Sequence, residues 1–594
     1  MSSDHNVRVA MLRAACAARG LNGYIIPRAD EYLGEYVPPC AERLAWISGF
    51  TGSAGLAIVL EERAAVFSDG RYTLQLEQQT DAAIWERRHL IEHKPEVWLH
   101  DAAPGQKIGF DPWTISADAQ ARFTGVEMVP VSPNLIDTIW ADRPPPPLAP
   151  ALPYPQAYAG ESSAAKRQRI GAVLAEAGED AAVLSDGASL AWVFNIRGTD
   201  LEFCPFALGY ALLRQNGSAT LFMAPEKITP NLREHLGPEV TIAAPAELDA
   251  AIAELKCQTV RYDPATQPAW FETALRQAGA ILATGPDPVA LPRARKNDTE
   301  QAGARAAHLR DGVAMVEFLA WAAEALPKGR ETEMSAATKL LAYRAQQKFF
   351  KGESFPAISG AGENGAIIHY RATPQSNRPI QPGDVYLIDS GGQYLDGTTD
   401  VTRTIWTGPG PAPAAVKAHA TMVLAGTIAL ARAVFPEGVA GVHLDALARQ
   451  ELWRAGLDYD HGTGHGVGAY LSVHEGPVSI SRTARPVALA EGMILSDEPG
   501  YYLPGSYGVR MENLLLVQKA PFAAARKPFL RFETLTLVPF DRALIEPALL
   551  PRESLDWLND YHAHLRTALS PHLSDKSRAW IGKATAPIRC PYND

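Results

Sequence analysis

Residues 461–477 read HGTGHGVGAYLSVHEGP, which gathers His461, His465 and His474 and sets a glycine at 462, 464, 466 and 468. A His-x-x-x-His spacing would put two imidazoles on one helix face, but glycine costs a helix about 1 kcal/mol relative to alanine. Four in so short a stretch exclude that helix. An extended or looping backbone remains, in which glycine permits unusual dihedrals or a close approach to another strand, an ion or a ligand.

Four carboxylates accompany the histidines. GDVYLIDSGGQYLDGTTDVTRTIW, residues 383–406, reads as two strands around a polar turn, with Asp389 ending an apolar run and Asp400 opening a β-branched one. A tight hairpin at Asp396–Gly397 would leave Asp389 four positions from the residue opposite Asp400, about 13 Å at strand rise. Convergence of the two acids therefore predicts a loop centred near Tyr394–Leu395. In EGMILSDEPGYYLPGSYGVRMENLLLV, residues 491–517, Pro504 and Gly505 are strong turn residues. A hairpin centred there sets Glu498 directly opposite Glu512. Opposed like charges destabilise a hairpin, and the apolar flanks argue for partial burial, a conflict that a cation would resolve.

Taken singly, these acids have simpler explanations: Asp389 as a turn cap, Asp400 bonded to a neighbouring hydroxyl, either glutamate paired with Arg510. Together, four carboxylates and the imidazole of His465 suffice for two hard or borderline cations that share bridging oxygens. No cysteine lies nearby, which argues against a thiolate zinc site.

The elements that must position these groups belong to a long chain. At 594 residues it exceeds one ordinary core and predicts about three domains. Hydrophobic content of 47% and charged content of 20% are those of a globular protein. The net charge of −11 disfavours nucleic acid or an anionic membrane as partner. Cys16, Cys40, Cys204, Cys257 and Cys590 are scattered and form no C-x-x-C, so neither a disulfide framework nor a zinc knuckle is expected. The opening residues lack a secretory pattern and no run approaches a bilayer span, so a soluble cytoplasmic protein is the expectation.

Two stretches punctuate the chain. RPPPPLAPALPYP, residues 143–155, reads as an extended linker. TGPDPVALPRARKNDTE, residues 284–300, breaks regular structure before a long helix capped by Asn297, Asp298 or Thr299. LRAACAARGLNGYIIPRADEYL and IGAVLAEAGEDAAVLSDGASLAWVF each read as helix, apolar strand and polar turn, which predicts an α/β domain present twice.

LIDSGGQYLDGTTDVTRT, HGTGHGVGAYLSVHEGP, SDEPGYY and GVRMEN closely resemble the catalytic domain of aminopeptidase P, the X-prolyl branch of the pita-bread metallopeptidases. The resemblance extends through EYVPPCAERLAWISGFTGSAG, FSDGRY, FNIRGTDLEFCPF, RARKNDTE and LDWLNDYH. It implies an α/β fold with two creatinase-like N-terminal domains, residues 1–150 and 151–295, before a pita-bread catalytic domain with a C-terminal extension, residues 296–594. The three-domain cytosolic form is a homodimer, an expectation attached here to the tail from Leu549.

By the same resemblance Asp389, Asp400, His465, Glu498 and Glu512 are the metal ligands, with Asp400 and Glu512 bridging two manganese ions. Donor chemistry alone does not choose manganese over cobalt, iron or zinc. Two close cations acidify a shared water, and hydroxide then attacks the polarised carbonyl. Glu498 is implied as the carboxylate that handles the proton. His369 and His474 match residues that hold the substrate or stabilise the tetrahedral intermediate, and His461 one that lines the pocket. Arg510, grouped with them on the substrate side, resembles an arginine that orients a carboxylate ligand. The implied substrates are peptides with an Xaa-Pro N-terminus. A prolidase shares the ligands but takes dipeptides; creatinase-like enzymes and peptide-binding modules of this fold normally lack the full set.

Overall fold

Each N-terminal segment begins with a helix that delivers the chain to the middle of a six-stranded sheet. The computed structural model describes residues 2–522 and 526–589; Cys590 lies outside them. The chain forms two compact units, Met1–Ala290 and Leu291–Asp594.

The first unit contains the same sheet twice. After the helix Ser2–Ala17, the strands lie in the order Glu86–His89, Ala64–Ser68, Leu56–Leu60, Gly23–Pro27, Lys107–Phe110, Glu127–Pro130. After the helix Ser163–Glu176 the order is Val240–Ala243, Ala219–Phe222, Tyr210–Arg214, Ala181–Leu184, Thr259–Tyr262, Ile281–Thr284. The central strand pairs antiparallel on one side and parallel on the other in both, and every further pairing repeats the same sense. Trp113 of the first sheet's domain stacks on Trp270 of the second at 4.1 Å between ring centres.

The proline-rich stretch 143–155 carries no helix, and its one regular element is the strand Leu152–Pro153, which pairs with Ile196–Arg197. The break at 284–300 contains one unexpected short helix, Ala290–Ala294. The helix Asp298–Ala325 follows: Asn297 Oδ1 accepts from the Glu300 N–H at 3.0 Å, and the Glu300 carboxylate accepts from the Asn297 N–H at 3.0 Å. This reciprocal cap satisfies two otherwise orphaned donors.

In the second unit, Val385–Ser390 runs antiparallel between Ile358–Ala361 and Val401–Trp406. A four-stranded sheet has the order Val434–Pro436, Phe529–Thr534, Asn513–Ala520, Ile494–Asp497. Helices Asp298–Ala325, Ala414–Ala431 and Arg552–Leu569 bury Val316, Leu424, Ile428, Leu558 and Leu565 in one core. Contrary to the sequence expectation, Ala414–Ala431 is long and apolar enough to cross a membrane; 61% of it is buried inside the protein, as for a core helix. Cys16, Cys40, Cys204 and Cys257 form no disulfide among the described residues.

Candidate metal centre

The two acidic hairpins form with different fidelity to expectation. Asp497 pairs with Asn513 and Gly500 with Arg510, so both ladders centre on Gly505 and their shared register sets Glu498 opposite Glu512. Neither glutamate belongs to a strand: the Glu498 N–H donates to Thr463 O and the Glu512 N–H to Thr402 O. The other hairpin turns one residue later than expected. Tyr394 pairs with Gly397 and Gln393 with Thr398, so the turn centres on Leu395–Asp396 and Asp389 faces Thr402, not Asp400. Asp400 sits two residues before Thr402, just ahead of the strand Val401–Trp406; continuing that strand's alternation sets it on the face of Thr402, diagonal to Asp389. Gly391 is needed there, because a Cβ would stand 2.0 Å from Thr399 O.

Gly464, Gly466 and Gly468 serve close approach, whereas Gly462 has ordinary room; none of the four has a positive φ. A Cβ on Gly464 would lie 1.9 Å from Ser496 O, and one on Gly466 2.2 Å from Glu475 O. His465, in the two-residue strand Gly464–His465, is thereby pressed against the strand that leads to Glu498.

Asp400, His465 and Glu512 each offer a ligand atom within 4.8 Å of the others. His465 Nε2 lies 3.5 Å from Asp400 Oδ2 and 3.4 Å from Glu498 Oε1. Its Nδ1 lies 3.0 Å from Gly466 O, a contact that fixes the proton on Nδ1 and turns Nε2 toward the acids. Ser496 Oγ donates to Glu498 Oε1 at 3.1 Å.

Asp389 Oδ1, Asp400 Oδ1 and Glu512 Oε1 are buried and have no hydrogen-bond partner among the described residues. Burial and the neighbouring acids raise the Glu512 carboxyl well above its ordinary range. Burial raises Asp400 to about 6, against the pull of His465. Burial alone would lower His465, but Asp400 and Glu498 outweigh it and hold the imidazole at about 9. An ion-free cluster therefore holds protons where cations would otherwise balance the charge. Orphaned carboxylate oxygens around an oriented imidazole fit divalent ions with mixed oxygen and nitrogen preference.

Three further residues, not evident in the sequence, bind the cluster together. Thr402 Oγ1 donates to Glu512 Oε2 at 2.7 Å and accepts from Arg510 Nε at 3.3 Å. Arg510 Nη2 donates to Asp389 Oδ2 at 2.7 Å, and Nη1 to the Tyr502 hydroxyl at 2.6 Å. Tyr502 lies 2.8 Å from His461 Nε2, while His461 Nδ1 lies 2.8 Å from Gly462 O. With the Nδ1 proton on Gly462, Nε2 accepts from Tyr502. Arg510 is 2% exposed and engaged by protein at all three nitrogens, a placement that suits orienting ligands rather than touching a peptide. Ser496 is the third; its hydroxyl also accepts from the His465 N–H at 2.9 Å.

His474 is half-buried, its ring edge-on to His465 at 4.2 Å. His369 occupies a separate loop after the 3-10 helix Gly362–Ala366. That helix packs on the Arg510 strand, where a Cβ on Gly508 would meet Gly365 O at 1.8 Å. The loop is gathered by Glu333, whose carboxylate accepts from Ala361 N, Asn364 Nδ2, the Tyr370 hydroxyl and Arg378 N at 2.8–3.1 Å.

Residues 302–519 match the model of metallopeptidase family M24, and residues 528–588 match the C-terminal region of peptidase M24. Residues 8–139 and 142–300 match two models of the creatinase/prolidase N-terminal domain. Two creatinase-type modules ahead of a pita-bread core define a mixed α/β metallopeptidase of family M24. An Aspergillus fumigatus protein named "Probable Xaa-Pro aminopeptidase P" is 39% identical over 609 residues, covering 98% of this chain and 92% of its own. One of the same name from Aspergillus niger is 38% identical, covering 98% and 99%. The crystal structure of X-prolyl aminopeptidase from Caenorhabditis elegans, described as a cytosolic enzyme with a di-nuclear active site, is 32% identical with a TM-score of 0.93, covering 98% of this chain and 100% of its own. Within the M24 class, this chain belongs to the Xaa-Pro aminopeptidase P family. The Xaa-Pro dipeptidase of Bacillus anthracis, at 23% identity, TM-score 0.52 and 64% of this chain, shares the fold alone.

Proposed function

We infer that the chain is a metal-dependent aminopeptidase that releases the first residue from peptides with proline second, and that two manganese ions are its resident cofactor. The observation that carries the reading is the buried cluster of Asp400, His465 and Glu512, whose ligand atoms lie within 4.8 Å of one another, with Glu498 3.4 Å from His465 and Asp389 tied in through Arg510 and Thr402. In this reading Asp389, Asp400, His465, Glu498 and Glu512 would hold the two ions, with Asp400 and Glu512 serving both, Asp389 serving one, and His465 with Glu498 serving the other. When bound, such an ion pair supplies Lewis acidity that acidifies water and polarises a peptide carbonyl.

The chain's own residues supply the rest. Ser496 and His465 both contact Glu498 Oε1, so Oε2 is the oxygen assigned to carry the proton. His474, beside His465, and His369, on its separate loop, are assigned as donors to the substrate carbonyl; such a donor contributes about 3 kcal/mol once charge develops on the oxygen. His461, its Nε2 occupied by Tyr502, forms fixed wall. Arg510 and Thr402 keep Asp389 and Glu512 aimed, a role whose loss commonly costs 10- to 100-fold.

We place the enzyme in the cytoplasm, in keeping with the C. elegans neighbour described as cytosolic, and propose a homodimer on the sequence resemblance of the tail from Leu549. The test is release of arginine from an Arg-Pro-Pro peptide by metal-stripped and manganese-reloaded protein. Release on reloading alone is expected; no release in either state, or internal cleavage, overturns the reading.

A further inference from the structure

The first unit ends at Ala290, and the chain enters the second through a stretch containing two buried cations, Arg293 and Lys296. Both turn to one buried carboxylate, that of Glu475. Lys296 Nζ donates to Oε1, and Arg293 Nε stands 3.3 Å from Oε2. The Lys296 backbone is itself held: its N–H donates to Gly492 O at 2.9 Å and its carbonyl accepts from Gln301 Nε2 at 2.8 Å.

Glu475 directly follows His474. Its N–H donates to Gly466 O at 2.7 Å, and Gly466 directly follows His465. The Glu475 side chain lies beneath the loop, where a Cβ on Gly468 would stand 3.0 Å from Oε2. Glu475 is therefore anchored at both backbone and side chain, adjacent in sequence to His474 and hydrogen-bonded to the residue after His465, the two histidines whose ring centres lie 4.2 Å apart. A buried ion pair is a weak source of stability compared with apolar packing of the same shape. What it supplies here is a fixed position.

We propose that Lys296, supported by Arg293, is a positioning residue for His474: it fixes Glu475 and so holds the His474 ring against His465. The catalytic consequence rests on the aminopeptidase reading; the geometric one does not. A misplacement of about 1 Å can cost about a hundredfold in rate.

The test compares Lys296→Met, in which Arg293 still faces Glu475, Lys296→Arg, and the triple variant Arg293→Met/Lys296→Met/Glu475→Gln, which leaves none of these three charges stranded and so guards against simple misfolding. Metal content, kcat and KM on an Xaa-Pro peptide, and 15N-histidine ring spectra with His474 assigned through His474→Gln are measured. The expected result is a folded protein that keeps its ions, loses at least about tenfold in kcat with KM moved far less, and shifts or broadens the His474 resonances, with partial rescue in Lys296→Arg. Unchanged His474 resonances in the folded Met variants, or a kcat loss fully explained by lost metal, overturn the proposal. A wild-type protein inactive on Xaa-Pro peptides would sink the aminopeptidase reading, while the ring spectra would still decide this one.

Discussion

Arg510 and Asp389 lie 121 residues apart in the chain, yet Nη2 of one donates to Oδ2 of the other at 2.7 Å. The contact uses one carboxylate oxygen and leaves Oδ1 buried without a partner. Through Nε the same guanidinium reaches Thr402 and so Glu512; through Nη1 it reaches Tyr502 and so His461. One planar group thus relates a metal-ligand candidate from each hairpin to a pocket histidine.

Arg510→Lys tests that relation. A lysine keeps the charge but cannot present three fixed donors to three acceptors. Activity is expected to fall 10- to 100-fold, with metal bound more weakly. Isothermal titration of manganese alongside turnover checks this; near wild-type values for both would remove Arg510 from the centre.

Asp400→Asn nearly preserves shape but removes one anion from the position assigned to bridge both ions. Two cations would then face each other with less compensation, and most activity should be lost along with part of the metal. Metal analysis beside kcat decides it. Near-normal turnover with two ions bound is the contrary result.

Protons and ions compete for the cluster, which predicts a pH-dependent stabilisation by metal. In the ion-free protein Asp400 is raised from 3.8 to about 6 and His465 from 6.5 to about 9. Groups raised on folding contribute stability that is complete below their unfolded values and is lost as pH rises through the folded ones. The ion-free protein should therefore lose this contribution between about pH 4 and pH 9, while bound ions take the place of the protons. The melting-temperature gap between manganese-loaded and stripped protein should widen from pH 5 to pH 9. A gap that is constant or narrows over that range would contradict the assignment.

Glu333→Gln addresses the loop that carries His369. An amide NH2 would confront a site made of donors, leaving buried groups unsatisfied at a cost of about 1–3 kcal/mol. A lowered denaturant midpoint together with reduced kcat is expected. Unchanged stability would mean the loop is held by other contacts.

The second acidic hairpin was readable because Pro504 and Gly505 mark its centre locally, and one register runs through both ladders around it. The first was misplaced by one residue. The expectation centred it on Tyr394–Leu395 so that Asp389 would face Asp400 directly, whereas the turn centres on Leu395–Asp396 and the two acids are offset by two residues. That error also hid Thr402, the residue facing Asp389. Tyr502, Ser496 and the Lys296–Glu475 pair, 179 residues apart, act through tertiary proximity, which local periodicity does not carry. Composition likewise does not separate Ala414–Ala431 from a membrane span; only its burial does. The repeated N-terminal domain was legible as a weak likeness of order, and the structure repeats the complete strand order.

Specificity for proline at the second position follows from what its nitrogen lacks. Proline has no N–H and fixes φ near −65°, so a site shaped for it needs no acceptor at that point. An ordinary residue would bring an N–H that, buried without a partner, costs about 1–3 kcal/mol. That difference corresponds to a preference of about tenfold to hundredfold, and ring packing adds to it. Xaa-Pro-Xaa peptides should therefore lose their first residue much faster than matched Xaa-Ala-Xaa peptides. An N-acetylated Xaa-Pro-Xaa peptide should be refused, since an aminopeptidase reads a free amine, which suits the acidic shell of Asp389, Asp400, Glu498 and Glu512. The three peptides compared at equal concentration on manganese-loaded enzyme give the answer. Equal rates on the proline and alanine peptides, or ready cleavage of the acetylated one, would leave the chain with the family's ligands but not its selectivity.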